Sequence, residues 1–267
     1  SSLFMAINGV LEKNGYSLVC HIIEDGQTID TDIIRDIAAD NIGALIWSKS
    51  MEMNDMEKPD FLKNAMRNLS IPVITMEKYG FDCPGVFDYE KGGYMATRHL
   101  IECGHRRIGC VAGKQSFHVT MQRLNGYKKA LEESGISYDP DLVYFGDYTM
   151  ESGYEAFSYI LGQKVTAIFS MNDEMAFGIY RAARLYGVSI PEDISIIGFD
   201  NVPFADVMQV PLTTIGVPVI EMGKKLGEKV VDLIDNKEKL KEREEILYTP
   251  RLLVRGSTKS IPPVTVI

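Results

Sequence analysis

The 267-residue sequence predicts an α/β protein of two lobes, each a parallel β-sheet flanked by helices. Three observations predict this fold class. Short apolar runs alternate with helical patterns along most of the chain, as they do in parallel sheets with right-handed crossovers. The length exceeds the usual size of one domain. After residue 218 the alternation stops. The chain then adds one helix and a final strand or strand pair, and with them it could return to each lobe in turn.

Helices and strands alternate in the first part of the chain. The first helical pattern ends at Gly15, a residue typical of helix C-termini. No strand precedes that helix, although the alternation requires one, so we expect the natural protein to be longer at its N-terminus. The predicted helices are 5–16, 28–40, 57–69 and 89–104, and the predicted strands are 17–23, 43–47, 71–76 and 107–113.

The second part of the chain repeats this rhythm. The helix that begins at Asp173 has an acidic first turn, which complements the helix dipole. The predicted helices are 123–135, 150–162, 173–187 and 219–235, and the predicted strands are 141–146, 165–170, 193–199 and 246–257.

The lobe boundaries follow from three crossovers near residues 103, 215 and 240. Residues 1–103 with 216–239 are predicted to form one lobe, and residues 104–215 with 240–260 the other. A cleft between two such lobes is the expected place for a ligand.

Composition and motifs exclude several classes of protein. A formal charge of −9 makes the chain by itself a poor nucleic-acid binder, because phosphate contacts need clustered Lys and Arg. No apolar run approaches the length of a membrane span. The four cysteines form no CxxC pair and no zinc-like spacing, so no metal or other cofactor is expected. The chain contains no GxSxG, P-loop or dinucleotide-binding motif, which argues against an enzyme.

Asp200 is the first candidate site residue. It follows the apolar strand 193–199, and ligands of open α/β sheets bind at the carboxyl ends of strands. A carboxylate can accept two hydroxyl hydrogen bonds, as polyol recognition requires. The alternative is an Asp that caps the following turn.

Arg123 and Asn172 are further candidates. Arg123 is predicted to open the helix 123–135, where the helix dipole disfavours a cation, so a bidentate grip on a ligand would explain it. A local ion pair is the alternative. Asn172 could donate to and accept from a ligand, or it could cap the next helix, with Asp173 as structural support.

Five stretches, taken together in order and spacing, resemble the effector-binding core of the LacI/GalR (lac-repressor) family of bacterial transcription regulators. The likeness covers residues 1–258. It implies a two-lobed, type I periplasmic-binding-protein-like fold that binds a sugar, nucleoside or phosphorylated metabolite between its lobes, a sugar being favoured. The stretches are "HLIECGHRRIGCVAG" (99–113), "RLNGYKKAL" (123–131), "TAIFSMNDEMAFGIYRAARLYGVSIPEDISIIGFDN" (166–201), "PLTTI" (211–215) and "PRLLVRGST" (250–258).

The resemblance also implies partners and a location. Members carry a DNA-binding domain upstream of this core, which this sequence does not contain, and through it the effector alters operator binding. We therefore expect a cytoplasmic homodimeric regulator, with no membrane partner. An exported sugar-binding protein of a transport system has the same fold and is the alternative; a signal peptide on the intact gene would favour it.

The family's pocket aspartate and arginine match Asp200 and Arg123, and its aromatic positions match Phe4 and Tyr148. Three more residues are predicted to line the ligand site from strand ends and a loop. For the aromatic residues, packing in the core or at its rim is the alternative. These three are Trp47 at the end of "GALIW", Glu77 at the end of "IPVITME", and Phe117 in the loop 114–121.

Overall fold

The structure is a computed structural model that describes residues 2–21, 42–48, 64, 67–69, 71–76, 85–235 and 246–262. Within them the helices are α1 (Ser2–Lys13), α2 (Tyr89–Glu102), α3 (His118–Glu133), α4 (Met150–Gly162), α5 (Asp173–Leu185) and α6 (Val219–Asp235). The strands are β1 (Leu45–Trp47), β2 (Val73–Thr75), β3 (Gly85–Phe87), β4 (Ile108–Ala112), β5 (Val143–Phe145), β6 (Ala167–Ser170), β7 (Ser195–Asp200), β8 (Thr213–Gly216), β9 (Ile246–Tyr248) and β10 (Arg251–Leu253).

The chain divides into two compact units. The first comprises Ser1–Val86 and Pro218–Tyr248, and the second comprises Phe87–Val217 and Thr249–Ile267. The chain thus passes between units three times. The first passage precedes the predicted position at residue 103, because α2 packs against α3 and the strands of the second unit. The last passage lies after β9 rather than at residue 240.

The second unit is built on a six-stranded sheet in the order β10-β8-β7-β6-β4-β5. β4 to β8 run parallel to their neighbours, and β10 pairs antiparallel with β8 at the edge. Every residue of β4, β6 and β8 is buried. Strands covered on both faces are mostly apolar, so their short apolar runs stand out between the helical patterns of the sequence.

The first unit contains the parallel pair β1–β2, with Leu45 opposite Val73. α1 and α6 pack together, and their apolar faces meet β2 in one core. A second pair joins β3 to β9. The buried residues of the core are Ile7, Leu11, Ile74, Leu226, Val230 and Leu233.

Two local predictions differ from the structure, and the sequence does not predict β3. α3 begins at His118, five residues before the predicted start, because Phe117 is extended and its carbonyl already accepts the amide of Thr120. Residues 17–21, predicted as a strand, are irregular, and β3 is too short to show a periodic pattern. The predicted helix 28–40 and most of 57–69 lie outside the described residues. Among the helices that the structure describes, none has the length and apolar character needed to cross a membrane.

Candidate ligand-binding site

Asp200 is the last residue of β7, and the backbone turns sharply after it. Asp200 has φ 109° and Asn201 has φ 59°, in a region that residues other than glycine seldom occupy. Such conformations persist only where surrounding contacts hold them, and they concentrate at functional sites. The turn leaves the Asp200 side chain 34% exposed at the end of an otherwise buried strand.

Asp173 holds this turn in place. Its side chain is fully buried at the first position of α5. One carboxylate oxygen accepts the Thr214 hydroxyl at 2.6 Å, and the other accepts the amide of Val202 at 2.9 Å. Burial raises the pKa of Asp173 to about 6, although these hydrogen bonds act in the opposite direction. Asp173 therefore has the supporting role predicted for it.

Arg123 lies beside Asp200, with Nη2 3.5 Å from Oδ1 of the carboxylate. Its Nη1 donates to the carbonyl of Met171. The guanidinium carbon lies 4.0 Å from the centroid of the Phe199 ring and 5.0 Å from that of Tyr89. Cation–π contacts and a backbone acceptor therefore fix a side chain that is only 7% exposed.

The position of Arg123 in its helix corrects the sequence argument. Arg123 is the sixth residue of α3 and not its first, so repulsion from the helix N-terminus does not explain it. The backbone at Arg123 is instead fixed by α2, because a Cβ at Gly93 would overlap the Arg123 carbonyl. The guanidinium is anchored by its aromatic neighbours.

Arg123 retains unused hydrogen-bonding capacity. Its buried Nε finds no acceptor among the described residues. This atom has almost no accessible surface next to the Phe199 and Tyr89 rings, so a ligand would meet the Nη groups instead. The 3.5 Å separation from Asp200 is longer than a strong charge-assisted bond. Both charged groups can therefore engage a ligand without breaking a tight ion pair.

Tyr148 and Phe117 form an aromatic wall next to Arg123. Their ring centroids are 6.2 Å apart and the rings are stacked, while the guanidinium carbon lies 5.7 Å from the Tyr148 centroid. The Tyr148 hydroxyl lies 2.7 Å from Thr120 Oγ1. Gly113 makes room for this wall, because a Cβ there would overlap the Tyr148 ring.

Asn172 caps α5, the alternative that its sequence context offered. Its Oδ1 accepts the amide of Met175 at 2.9 Å, and its Nδ2 donates to the carbonyl of Tyr148 at 2.9 Å. The second bond holds Tyr148 in its left-handed backbone conformation, at φ 73°. Asn172 thus supports the aromatic wall.

The environment of Asp200 makes its carboxyl group harder to ionise than an ordinary aspartate. Burial is the largest cause of a raised pKa at Asp200, and the negative charge of Asp173 raises it further. The positive charge of Arg123 lowers it. Together these effects raise the pKa of Asp200 to about 7. The carboxyl group therefore changes charge close to neutral pH. Carboxyls with pKa values moved this far occur often at functional sites.

Three predicted residues remain. Phe4 and Trp47 belong to the first unit, where both line a cavity of about 610 Å³. Glu77 lies outside the described residues. The structure brings together Asp200, Arg123, Asn172, Tyr148 and Phe117 in the second unit.

Sequence reasoning missed three contributors to this site. Tyr89 and Phe199 flank the guanidinium, and Thr120 fixes the Tyr148 hydroxyl. Phe199 lies in an apolar strand and Tyr89 at the start of a helix, so neither residue has a sequence signal that marks it as part of a site. No cluster of metal-ligating side chains occurs in the described part of the chain.

Comparison with known proteins identifies the class of this chain. Residues 97–258 match the family described as the periplasmic binding protein-like domain. The chain is 33% identical over 264 residues to the HTH-type transcriptional repressor PurR of Photobacterium profundum, covering 96% of this chain and 77% of that protein. The chain therefore belongs to the periplasmic binding protein-like family.

Two solved structures show which regulators of this family the chain is similar to. A LacI family transcriptional regulator from Enterococcus faecium with bound ribose superposes with a TM-score of 0.83 at 27% identity, covering 98% of this chain and 94% of that one. The transcriptional regulator CelR in complex with cellobiose superposes with a TM-score of 0.82 at 27% identity, covering 96% of this chain and 78% of that one. The chain is the effector-binding core of a LacI/GalR-family transcriptional regulator, as the sequence predicted. These relatives are regulators, not enzymes.

Proposed function

We propose that this core binds a sugar through Arg123 and Asp200 and that the sugar controls DNA binding by the regulator. The observation that carries the proposal is a largely buried guanidinium whose Nη2 lies 3.5 Å from a carboxylate that is one-third exposed. An arginine in this state is prepared to bind an oxygen-rich ligand, because its desolvation has already been compensated by aromatic contacts.

The chemistry of the site suits a polyol. Asp200 accepts hydroxyl hydrogens, and Nη2 of Arg123 donates to a hydroxyl or ring oxygen of the same ligand. The stacked rings of Phe117 and Tyr148 offer a flat apolar surface for the C–H face of a sugar ring. The ribose and cellobiose bound by two relatives support a sugar over other small metabolites.

Control of DNA binding is proposed from the relatives. PurR of Photobacterium profundum is named as an HTH-type repressor, so we infer that this core acts with a DNA-binding domain on the same polypeptide, in the cytoplasm. A sugar that binds one conformation of the core better than another would shift the population of the regulator between states of different operator affinity. Export and delivery to a transporter is not favoured, since the named relatives are transcriptional regulators.

A thermal-shift screen tests the ligand class. The chain is heated with pentoses, hexoses, disaccharides and purine bases, beside the variants Arg123→Met and Arg181→Met. A ligand at a hundred times its dissociation constant stabilises by roughly 2.7 kcal/mol, which is a shift of several degrees. We expect a sugar to shift the wild type and the Arg181→Met control, whose guanidinium is exposed, but not Arg123→Met.

Two results would contradict the proposal. A sugar that shifts Arg123→Met as strongly as the wild type would place the site elsewhere. A response to purine bases alone would change the ligand class from sugar to base.

A further inference from the structure

The turn after β7 is held from a second side, by the segment that follows β10. Asn201, the residue after Asp200, is exposed, and its Oδ1 accepts Nη2 of Arg255 at 2.6 Å. Asp173 holds the same turn from the buried side, through the amide of Val202. The turn that carries Asp200 therefore lies between a buried carboxylate and a partly buried guanidinium.

Arg255 is itself fixed to the residues around the start of β8. Its backbone amide donates to Thr213 Oγ1 at 2.9 Å, and its Nη1 donates to the carbonyl of Leu212 at 2.7 Å. The next residue, Gly256, donates its amide to the carbonyl of Pro211 at 2.9 Å. These bonds set the position of the guanidinium independently of its contact with the turn.

The two acceptors of the Arg255 guanidinium are neutral and lie on different segments. One is the carbonyl oxygen of Leu212, and the other is the side-chain amide oxygen of Asn201. A planar guanidinium presents its donors in fixed directions, so it can hold two acceptors at a set separation, which an ammonium group cannot do. Arg255 therefore links the start of β8 to the turn after β7 at a fixed distance.

The backbone of the turn requires such support. Asn201 has φ 59° and follows Asp200 at φ 109°, so two consecutive residues other than glycine have positive φ. Conformations of this kind persist only where surrounding contacts hold them. Loss of the Arg255 bond frees the side of the turn that faces solvent, and Asp200 would no longer be held in one orientation beside Arg123.

We propose that Arg255 is a positioning residue of the sugar site, which through Asn201 holds the Asp200 carboxylate in the orientation that binds a ligand. The inference rests on the proposed function, because it takes Asp200 as a sugar ligand. Arg255 is assigned no contact with the sugar, since both of its Nη groups already donate within the protein. The alternative is a purely structural arginine, whose loss would lower stability and leave sugar affinity unchanged.

The test compares three single variants of the chain. Arg255→Met removes both side-chain bonds and keeps an apolar stem. Asn201→Gly removes only the bond to the turn, and glycine adopts φ 59° without strain, so the unfolding free energy should change little. Arg251→Met is the control, because it makes the same substitution at an exposed arginine of β10.

Isothermal titration with the best sugar of the thermal screen measures the effect on binding. We expect Arg255→Met and Asn201→Gly each to raise the dissociation constant by about fivefold, and the double variant to bind no worse than either, because both changes break one bond. Arg251→Met should bind like the wild type. Denaturant unfolding should show a loss of stability in Arg255→Met, which also loses the Leu212 bond, but not in Asn201→Gly.

Two results would overturn the inference. One is a wild-type dissociation constant in both Arg255→Met and Asn201→Gly, which would make Arg255 purely structural. The other is an additive loss in the double variant, which would mean that Asn201 contacts the sugar directly.

A measurement without ligand separates this inference from the proposed function. Protection of the Val202 amide from hydrogen exchange reports on the turn, because Asp173 accepts that amide. We expect Arg255→Met and Asn201→Gly to lower this protection by on the order of tenfold, and Arg251→Met to leave it unchanged. If no sugar binds the wild type, the proposed function fails, while lowered protection would still support the role of Arg255 at the turn. Unchanged protection in both variants would overturn that role as well.

Discussion

Arg123 and Asp200 form a charged pair in the second unit, and different contacts hold the two side chains. The guanidinium is fixed by the Phe199 ring and by the Met171 carbonyl, whereas Asp200 is fixed by the strained turn after β7. Because each group has its own support, neither depends on the 3.5 Å contact between them. This arrangement leaves both groups available to a ligand that satisfies them together.

The ionisation of Asp200 predicts a dependence of stability on pH. The folded-state pKa is raised to about 7, and an unfolded aspartate has a pKa of about 3.9. The folded state therefore binds the proton more tightly, and Asp200 lowers the free energy of unfolding as pH rises from about 4 to about 7. Asp200→Asn should be more stable than the wild type at pH 8, by a margin that shrinks towards pH 5. Denaturant unfolding without ligand at several pH values measures this.

A matched control tests whether the stability gain is specific to Asp200 or follows from replacing any aspartate. Asp193 accepts the amide of Ser189 at 2.7 Å in an exposed turn. Asp193→Asn keeps an acceptor there but loses its charge, so it should gain no stability. An Asp200→Asn margin that is the same at pH 5 and pH 8 would contradict the prediction.

The sequence arguments for Asp200 and for Arg123 differ in strength. Asp200 was predictable because an acid directly after a buried parallel strand lies at the sheet edge where ligands bind. The argument for Arg123 depended partly on a helix that begins at Arg123, whereas the helix begins at His118. The left-handed backbone of Tyr148 and the stacking of Phe199 on Arg123 were not predictable, since both depend on contacts between residues distant in sequence.

At the scale of elements, close helix packing positions the site. α2 and α3 approach so closely that a Cβ at Gly93 would overlap the Arg123 carbonyl, and one at Gly126 would overlap the Glu90 carbonyl. The sequence predicted both helices from their apolar periodicity. It could not predict which glycines lie at their contact, because helix-to-helix distance leaves no periodic pattern.

Substitution of Gly93 tests this packing. Gly93→Ala forces α2 and α3 apart at Arg123, and overpacking of this kind costs typically about 1–3 kcal/mol of unfolding free energy. Gly162→Ala is the control, because a Cβ at Gly162 meets nothing within 4 Å at the end of α4. We expect little change or a small gain there. Equal stability of both variants in denaturant unfolding would show that the helix contact does not position Arg123.

At the scale of the whole molecule, the two units differ in how fully the sequence predicted them. The six-stranded sheet of the second unit follows from its buried strands, with the antiparallel β10 as the exception. The first unit is harder to predict from the sequence, because β1 and β2 are short and residues 17–21 are irregular. A strand forms only with its neighbours, so a local pattern cannot establish it.

An exposed apolar surface on the second unit predicts self-association. Phe204 is 69% exposed and Val207 is 71% exposed, next to a depression of about 830 Å³ that Phe177 and Met208 also line. Apolar surface of this kind on a monomer commonly marks an interface. We propose that it joins two copies of the chain, as the resemblance to LacI/GalR regulators implies.

Sedimentation velocity checks the dimer. Phe204→Lys should convert it to monomer, because a lysine charge cannot be buried unpaired in an apolar interface. Val254→Lys places the same charge at another exposed position of the second unit and should leave the dimer intact. A dimer that survives Phe204→Lys would place the interface elsewhere.

Isothermal titration of the best sugar from the thermal screen, in a double-mutant cycle of Arg123→Met and Asp200→Asn, tests most directly whether these residues form one sugar site. Residues that hold the same ligand through one network lose affinity non-additively. We predict that each single variant weakens binding at least about tenfold, about 1.4 kcal/mol, and that the double variant loses less than the sum. Unchanged affinity in either single variant would contradict the assignment of that residue. Strictly additive losses would show that the two residues act at separate places.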